Sequence, residues 1–135
     1  PKEREHEIQR IRLEKAKALF SSQQNPTART ELEALLDELT GEKKSEQDEL
    51  LIADTREALA ASQFYMTWLM RIEGLPRETW EPEAARARQN YQVIAERAQR
   101  IGGSVEEKAK EDLEAAVRLA LVDLDDLQGL PLPSQ

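Results

Sequence analysis

The chain has no cysteine. That removes disulfides, thiolate nucleophiles and most zinc sites together, and it fits cytoplasm and periplasm equally, so no location follows. Histidine occurs once, at His6, so only one imidazole is available for ligation or proton transfer. Glycine and proline are few, 5 and 6. They stand singly or in one pair, so no Gly-rich phosphate cradle is present. Alternation of apolar and polar residues rich in Val, Ile, Thr and aromatics, the mark of a half-buried strand, is missing. Long apolar runs are missing as well. Nothing approaches the roughly 18–20 residues of a membrane span, and no secretion signal is readable, so no direct membrane insertion is expected of this segment. The sequence opens on Pro1 rather than Met and reads as a piece excised from a longer chain, whose upstream segments would lie outside it.

What remains is helix-forming material. The 135 residues are 39% hydrophobic and 34% charged, and Ala, Glu, Leu, Arg and Gln dominate. The length suits one domain with its own core. The expected fold is all-α: an antiparallel helix bundle of about five helices, four long and one short, spanning residues 1–135 and closing in a C-terminal α-hairpin. Residues 130–135 are expected to form a disordered tail. Net charge is −8. A nucleic-acid binder clusters Lys and Arg against phosphates, so an acidic domain argues against that partner.

Start and stop signals divide the chain. The first helix covers about Glu3 to Ser22, with Ile8, Ile11, Ala18 and Leu19 as its apolar stripe. For the second, Asn25 is the expected N-cap with Pro26 at N1, Gly41 is the stop, and Leu32, Leu35, Leu36 and Leu39 form the buried face. The third opens at Ser45 with Asp48 three residues on. No breaker follows until Gly74, which allows about 27 residues and roughly 40 Å. Between Pro76 and Pro82 the sequence predicts a loop or single turn carrying Trp80. The fourth helix follows Pro82 and ends at Gly102-Gly103, its stripe Ala84, Ala87, Tyr91, Ile94, Ala98 and Ile101 spaced like a coiled-coil seam. Ser104-Val105-Glu106-Glu107 reads as a capping box opening the fifth. The fifth helix then presents Val105, Ala109, Leu113, Ala116, Ala120, Leu124 and Leu127, widened by Val117 and Leu121, as far as Gly129. A link this short makes helices four and five antiparallel neighbours.

The fold class invites a di-iron or di-manganese site, which needs two Glu-x-x-His pairs and two further glutamates. Glu3 and His6 form the only such pair, so the site cannot be assembled. A serine nucleophile would need His6 beside Ser62 or Ser104, and both serines have plain structural readings. Asp125-Asp126 and Glu106-Glu107 are adjacent in sequence and diverge by about 100° around a helix, as solvated carboxylates do. Asp123, Asp125 and Asp126 interleave with leucines and lack the spacing of a calcium loop. No catalytic, cofactor-binding or metal-binding residues are therefore expected, and the chain is read as not an enzyme.

One segment departs from the amphipathic pattern. Phe64-Tyr65-Met66-Thr67-Trp68-Leu69-Met70 is apolar nearly all round a helix and holds both methionines and three aromatic residues. A surface helix shows one stripe, so the segment is either enclosed by the other helices or partly exposed to a partner. Phe64, Tyr65, Trp68, Met70 and Trp80 are the candidate partner-binding residues, since aromatic and Met side chains supply large, adaptable contact area. The start of the same helix, Leu50-Leu51-Ile52-Ala53 among charges, raises self-association, including a homodimer. Charge is uneven: residues 104–135 carry 8 acidic and 3 basic groups, residues 82–101 carry 2 and 4, and residues 1–20 carry 4 and 6. The expected function is non-catalytic protein–protein interaction of adaptor, chaperone-like or assembly type. The alternatives are an extracytoplasmic spacer or sensor domain of a membrane-anchored protein and a helical-repeat, tetratricopeptide-like scaffold.

Overall fold

A computed structural model describes residues 2–41, 46–127 and 129–130, the side chains of 46–48 excepted. Among them are six helices and no strand: α1 (Lys2–Ser21), α2 (Asn25–Thr40), α3 (Glu46–Ile72), α4 (Arg77–Ile101), α5 (Gly103–Leu121) and the single turn α6 (Leu124–Leu127). The protein is an all-α bundle of five main helices. The Ser45–Asp48 cap and residues 131–135 of the expected tail lie outside the described residues. Leu130 is described, half-buried, with its N–H bonded to the Leu127 carbonyl. By its contacts the chain forms two compact units, Pro1–Ser62 and Gln63–Gln135, and α3 contributes residues to each.

In the first unit α1 and α2 pack as a hairpin. Their core is Leu13, Ala16, Leu32, Leu35, Leu36 and Leu39, joined by Leu51, Ala58 and Leu59 of α3. The leucine face of α2 is the one its spacing predicts. The stripe expected for α1 is not. Gln9, Leu13 and Ala16 are buried, whereas Ile8, Ile11 and Ala18 face solvent. The α1 sequence carries two apolar stripes, and the one with Leu13 and Ala16 joins the leucines of α2 in the core; at its margins Arg10 Nη1 meets Asp54 Oδ2 at 2.8 Å, and Arg12 pairs with Glu38.

α1 ends in a Schellman motif, with Gln24 N–H bonded to the Leu19 carbonyl and Gln23 N–H to that of Phe20. Gln23 takes the left-handed position at φ 66°. This places the cap of α2 at Gln24, without a side-chain hydrogen bond, and Asn25 becomes the first helical residue. The expected Asn25 cap is thus displaced by one residue because Asn25 is drawn into the interior, where it is buried.

In the second unit α3 ends in the same motif, here with Gly74 at φ 79° and Leu75 N–H bonded to the Met70 carbonyl. α4 starts at Arg77, six residues earlier than expected, and Pro82 lies inside it. A proline this close to the N-terminus removes only one bond beyond the four N–H groups that lack partners there anyway. Burial of Trp80 on this first turn outweighs that loss, so the expected loop is helix.

α4 and α5 form the C-terminal hairpin. The link runs through Gly102, at φ 79° and ψ −173°, and Gly103, at φ 64°. Only glycine is at home in the first of these conformations. Because the glycine pair makes the reversal, Ser104 falls inside α5, the cap is Gly102 with no side-chain bond, and the expected capping box does not form. Ala84, Ala87, Tyr91 and Ala98 are buried as expected, while Ile101 is exposed. On α5, Ala109, Ala116 and Leu119 are buried and Val105, Val117 and Leu121 are exposed. The face therefore widens toward Leu119, on the opposite side from Val117. α5 also stops at Leu121 instead of running on to Gly129: Val122 is extended, and α6 brings Leu127 into the interior.

Candidate interaction surface on the third helix

The end of α3 has an inward side and an outward side. Gln63, Phe64 and Thr67 are buried, and with Arg71 they lie at spacings that keep them on one face of the helix. Phe64 meets Tyr91 of α4 edge to face, with ring centroids 6.4 Å apart and planes at 85°, the favoured aromatic geometry. Thr67 Oγ1 donates to the Gln63 carbonyl at 2.8 Å, which satisfies its hydroxyl within the helix. Asn90 Nδ2 donates to Gln63 Oε1 at 2.7 Å, a cross-helix bond that pins α4 against α3.

Arg71 ends this face and ties three elements together. Its Nη1 donates to the carbonyls of Leu119 and Val122, each at 2.8 Å. These groups sit at the end of α5, where carbonyls lack helical partners. Its guanidinium lies 4.6 Å from the centroid of Trp80, and Arg77 lies 4.8 Å from the same ring. Burial pushes the Arg71 pKa below its ordinary value; Arg77 adds to the shift and Asp123 opposes it. An arginine so placed still carries its charge at neutral pH. The capture of Val122 O explains why α5 stops where it does. Neither Arg71 nor the Gln63–Asn90 pair was legible beforehand, since an arginine at the end of an apolar run looks like any helix C-terminal cation.

The five candidate residues therefore separate. Phe64 and Trp80 are core residues, and the ring of Trp80 is covered by two arginines rather than open to a partner. Tyr65, Trp68 and Met70 are half-buried. Tyr65 and Trp68 lean on each other with centroids 5.7 Å apart and planes tilted by 36°. Met66 and Leu69, also half-buried, and exposed Ile72 complete this side. Between Tyr65 and Ile72 only Thr67 and Arg71 are not large apolar residues, and both belong to the inward face. The outward side can make apolar contact over a wide arc of helix and offers no titratable group apart from the Tyr65 phenol. Elsewhere among the described residues, no three His, Asp or Glu side chains are grouped to hold a metal ion, and no helix is long and apolar enough to cross a membrane. No family model, no curated protein and no solved structure matches this chain.

Proposed function

We propose that this chain is a non-catalytic protein-interaction domain, of adaptor, chaperone-like or assembly type, that binds another protein through the outward side of α3 between Tyr65 and Ile72. The observation that carries the reading is the concentration of six large apolar side chains, none fully buried, within eight residues of one helix. Single apolar residues at a protein surface are ordinary, but a contiguous group that is only partly covered, here five half-buried side chains and exposed Ile72, is characteristic of a binding surface. The residue types fit as well. Trp and Tyr are the side chains most often found at the energetic centre of interfaces, and methionines adapt to the shape of a partner.

Site-specific photo-crosslinking in the native cell tests this. A benzoyl-phenylalanine at Met70 is expected to capture one discrete partner, and the same probe at Ala34, exposed on α2, is not. Adding Tyr65→Ser and Trp68→Ser should abolish the adduct while circular dichroism stays helical. An adduct of equal yield at both positions, or one that survives the double substitution, overturns the proposal.

A further inference from the structure

Two more apolar stripes lie outside the α3 face, and the charges beside them are opposite in sign. The first is the outward side of α1. Ile8, Ile11 (67% exposed) and Ala18 run along it with Lys15 between them. A surface helix needs one apolar stripe to join its own core, and α1 already has one in Leu13 and Ala16. Arg10, Arg12 and Lys17 are engaged with Asp54, Glu38 and Glu14. Arg4 and Lys15, on the outward side, have no ion-pair partner among the described residues.

The second stripe is Val117 and Leu121 (75% exposed) of α5 followed by Leu124 of α6, also exposed. Here the cations are the neutralised groups: Lys108, Lys110 and Arg118 are each held by a carboxylate of their own helix, Asp112, Glu106 and Glu114. Asp125 and Asp126, exposed beside Leu124, have no such partner among the described residues.

We infer that these stripes are the two halves of one self-interface, in which α1 of one copy lies on the α5–α6 face of a second copy. The occupant is a second copy because the chain itself carries both halves, matched in apolar content and complementary in charge. Ile8 and Ile11 cover Leu121 and Leu124, while the cation one turn beyond the isoleucines at the Leu124 end, Arg4 or Lys15 according to the direction in which α1 lies, reaches Asp125 and Asp126. The contact joins different surfaces and is therefore heterologous: each added copy leaves one open stripe of each kind, so assembly continues into chains or closes as a ring. A few side chains per partner make a small interface, so association is concentration-dependent and weakens as salt screens the charges.

Sedimentation of the full chain at low salt, from micromolar to about 1 mM, should show mass rising with concentration. Ile11→Asp and Leu121→Asn, both at exposed positions, are expected to keep their helicity and to sediment singly as monomers. Mixed in equal amounts, they should form a dimer and stop there, because the intact α1 of one meets the intact α5–α6 face of the other. Tyr65→Ser/Trp68→Ser should assemble like the unsubstituted chain, which separates this interface from the proposed α3 surface. A monomer at every concentration, a mixture that stays monomeric, or loss of assembly in the Tyr65/Trp68 variant each overturns the inference.

Discussion

At the scale of single residues, the end of α3 shows how one helical turn separates core from surface. Phe64 and Trp68 are four positions apart on a stretch apolar nearly all round, so composition gives no means of ranking them. Packing does. Phe64 is fully buried against Tyr91, and Trp68 is half-buried beside Tyr65. Truncating a fully buried aromatic removes its transfer free energy and leaves a cavity. Phe64→Ala is therefore expected to lower stability by about 3–5 kcal/mol in urea unfolding. Trp68→Ala, at a larger residue, is expected to cost only about 1–2 kcal/mol, because part of its area is already in water. A greater loss at Trp68 than at Phe64 would place the tryptophan in the core and remove the basis of the proposed surface.

At the scale of elements, helix ends decide the architecture. α1 and α3 both terminate in Schellman motifs, one with Gln23 at the left-handed position and the other with Gly74. A side chain there brings Cβ close to the following carbonyl, a clash that glycine avoids. Gln23→Gly is accordingly expected to raise stability by about 0.5–1 kcal/mol. Gly102→Ala works in the other direction. Space for a Cβ is available, but the φ and ψ of Gly102 fall in a region essentially confined to glycine, so a loss of about 1–3 kcal/mol is expected. Thermal melts of the two variants should bracket the unsubstituted protein. The glycine signals at Gly74 and at Gly102-Gly103 were readable in the sequence. The Gln23 reversal, with no glycine to announce it, was readable only as a polar break, and Pro82 marked a boundary that the fold does not use.

At the scale of the whole molecule, α3 is common to both units. It supplies Leu51, Ala58 and Leu59 to the first core and Phe64 to the second. All tyrosines and tryptophans, Tyr65, Trp68, Trp80 and Tyr91, belong to the second unit. Their fluorescence therefore reports that unit alone, whereas helical circular dichroism reports both. Because α3 runs unbroken through the boundary between residues 62 and 63, the two probes are expected to give coincident denaturation curves. Separated midpoints would mean that the units unfold independently.

Read alone, the sequence determined the all-α class, the 27-residue span of α3, the leucine face of α2, most of the buried stripe of α4 and the α4–α5 hairpin. These follow from helix propensity, 3.6-residue spacing and glycine at helix ends, which are properties of neighbouring residues. Tertiary structure alone decided which of two apolar stripes of α1 turns inward, which side of residues 64–70 stays open, where α5 stops and what covers Trp80. Periodicity names the faces of a helix but not the elements that come to lie against them. Those choices rest on contacts between residues far apart in the chain, Leu13 and Ala16 with the leucines of α2, Asn90 with Gln63, Arg71 with the carbonyls of Leu119 and Val122.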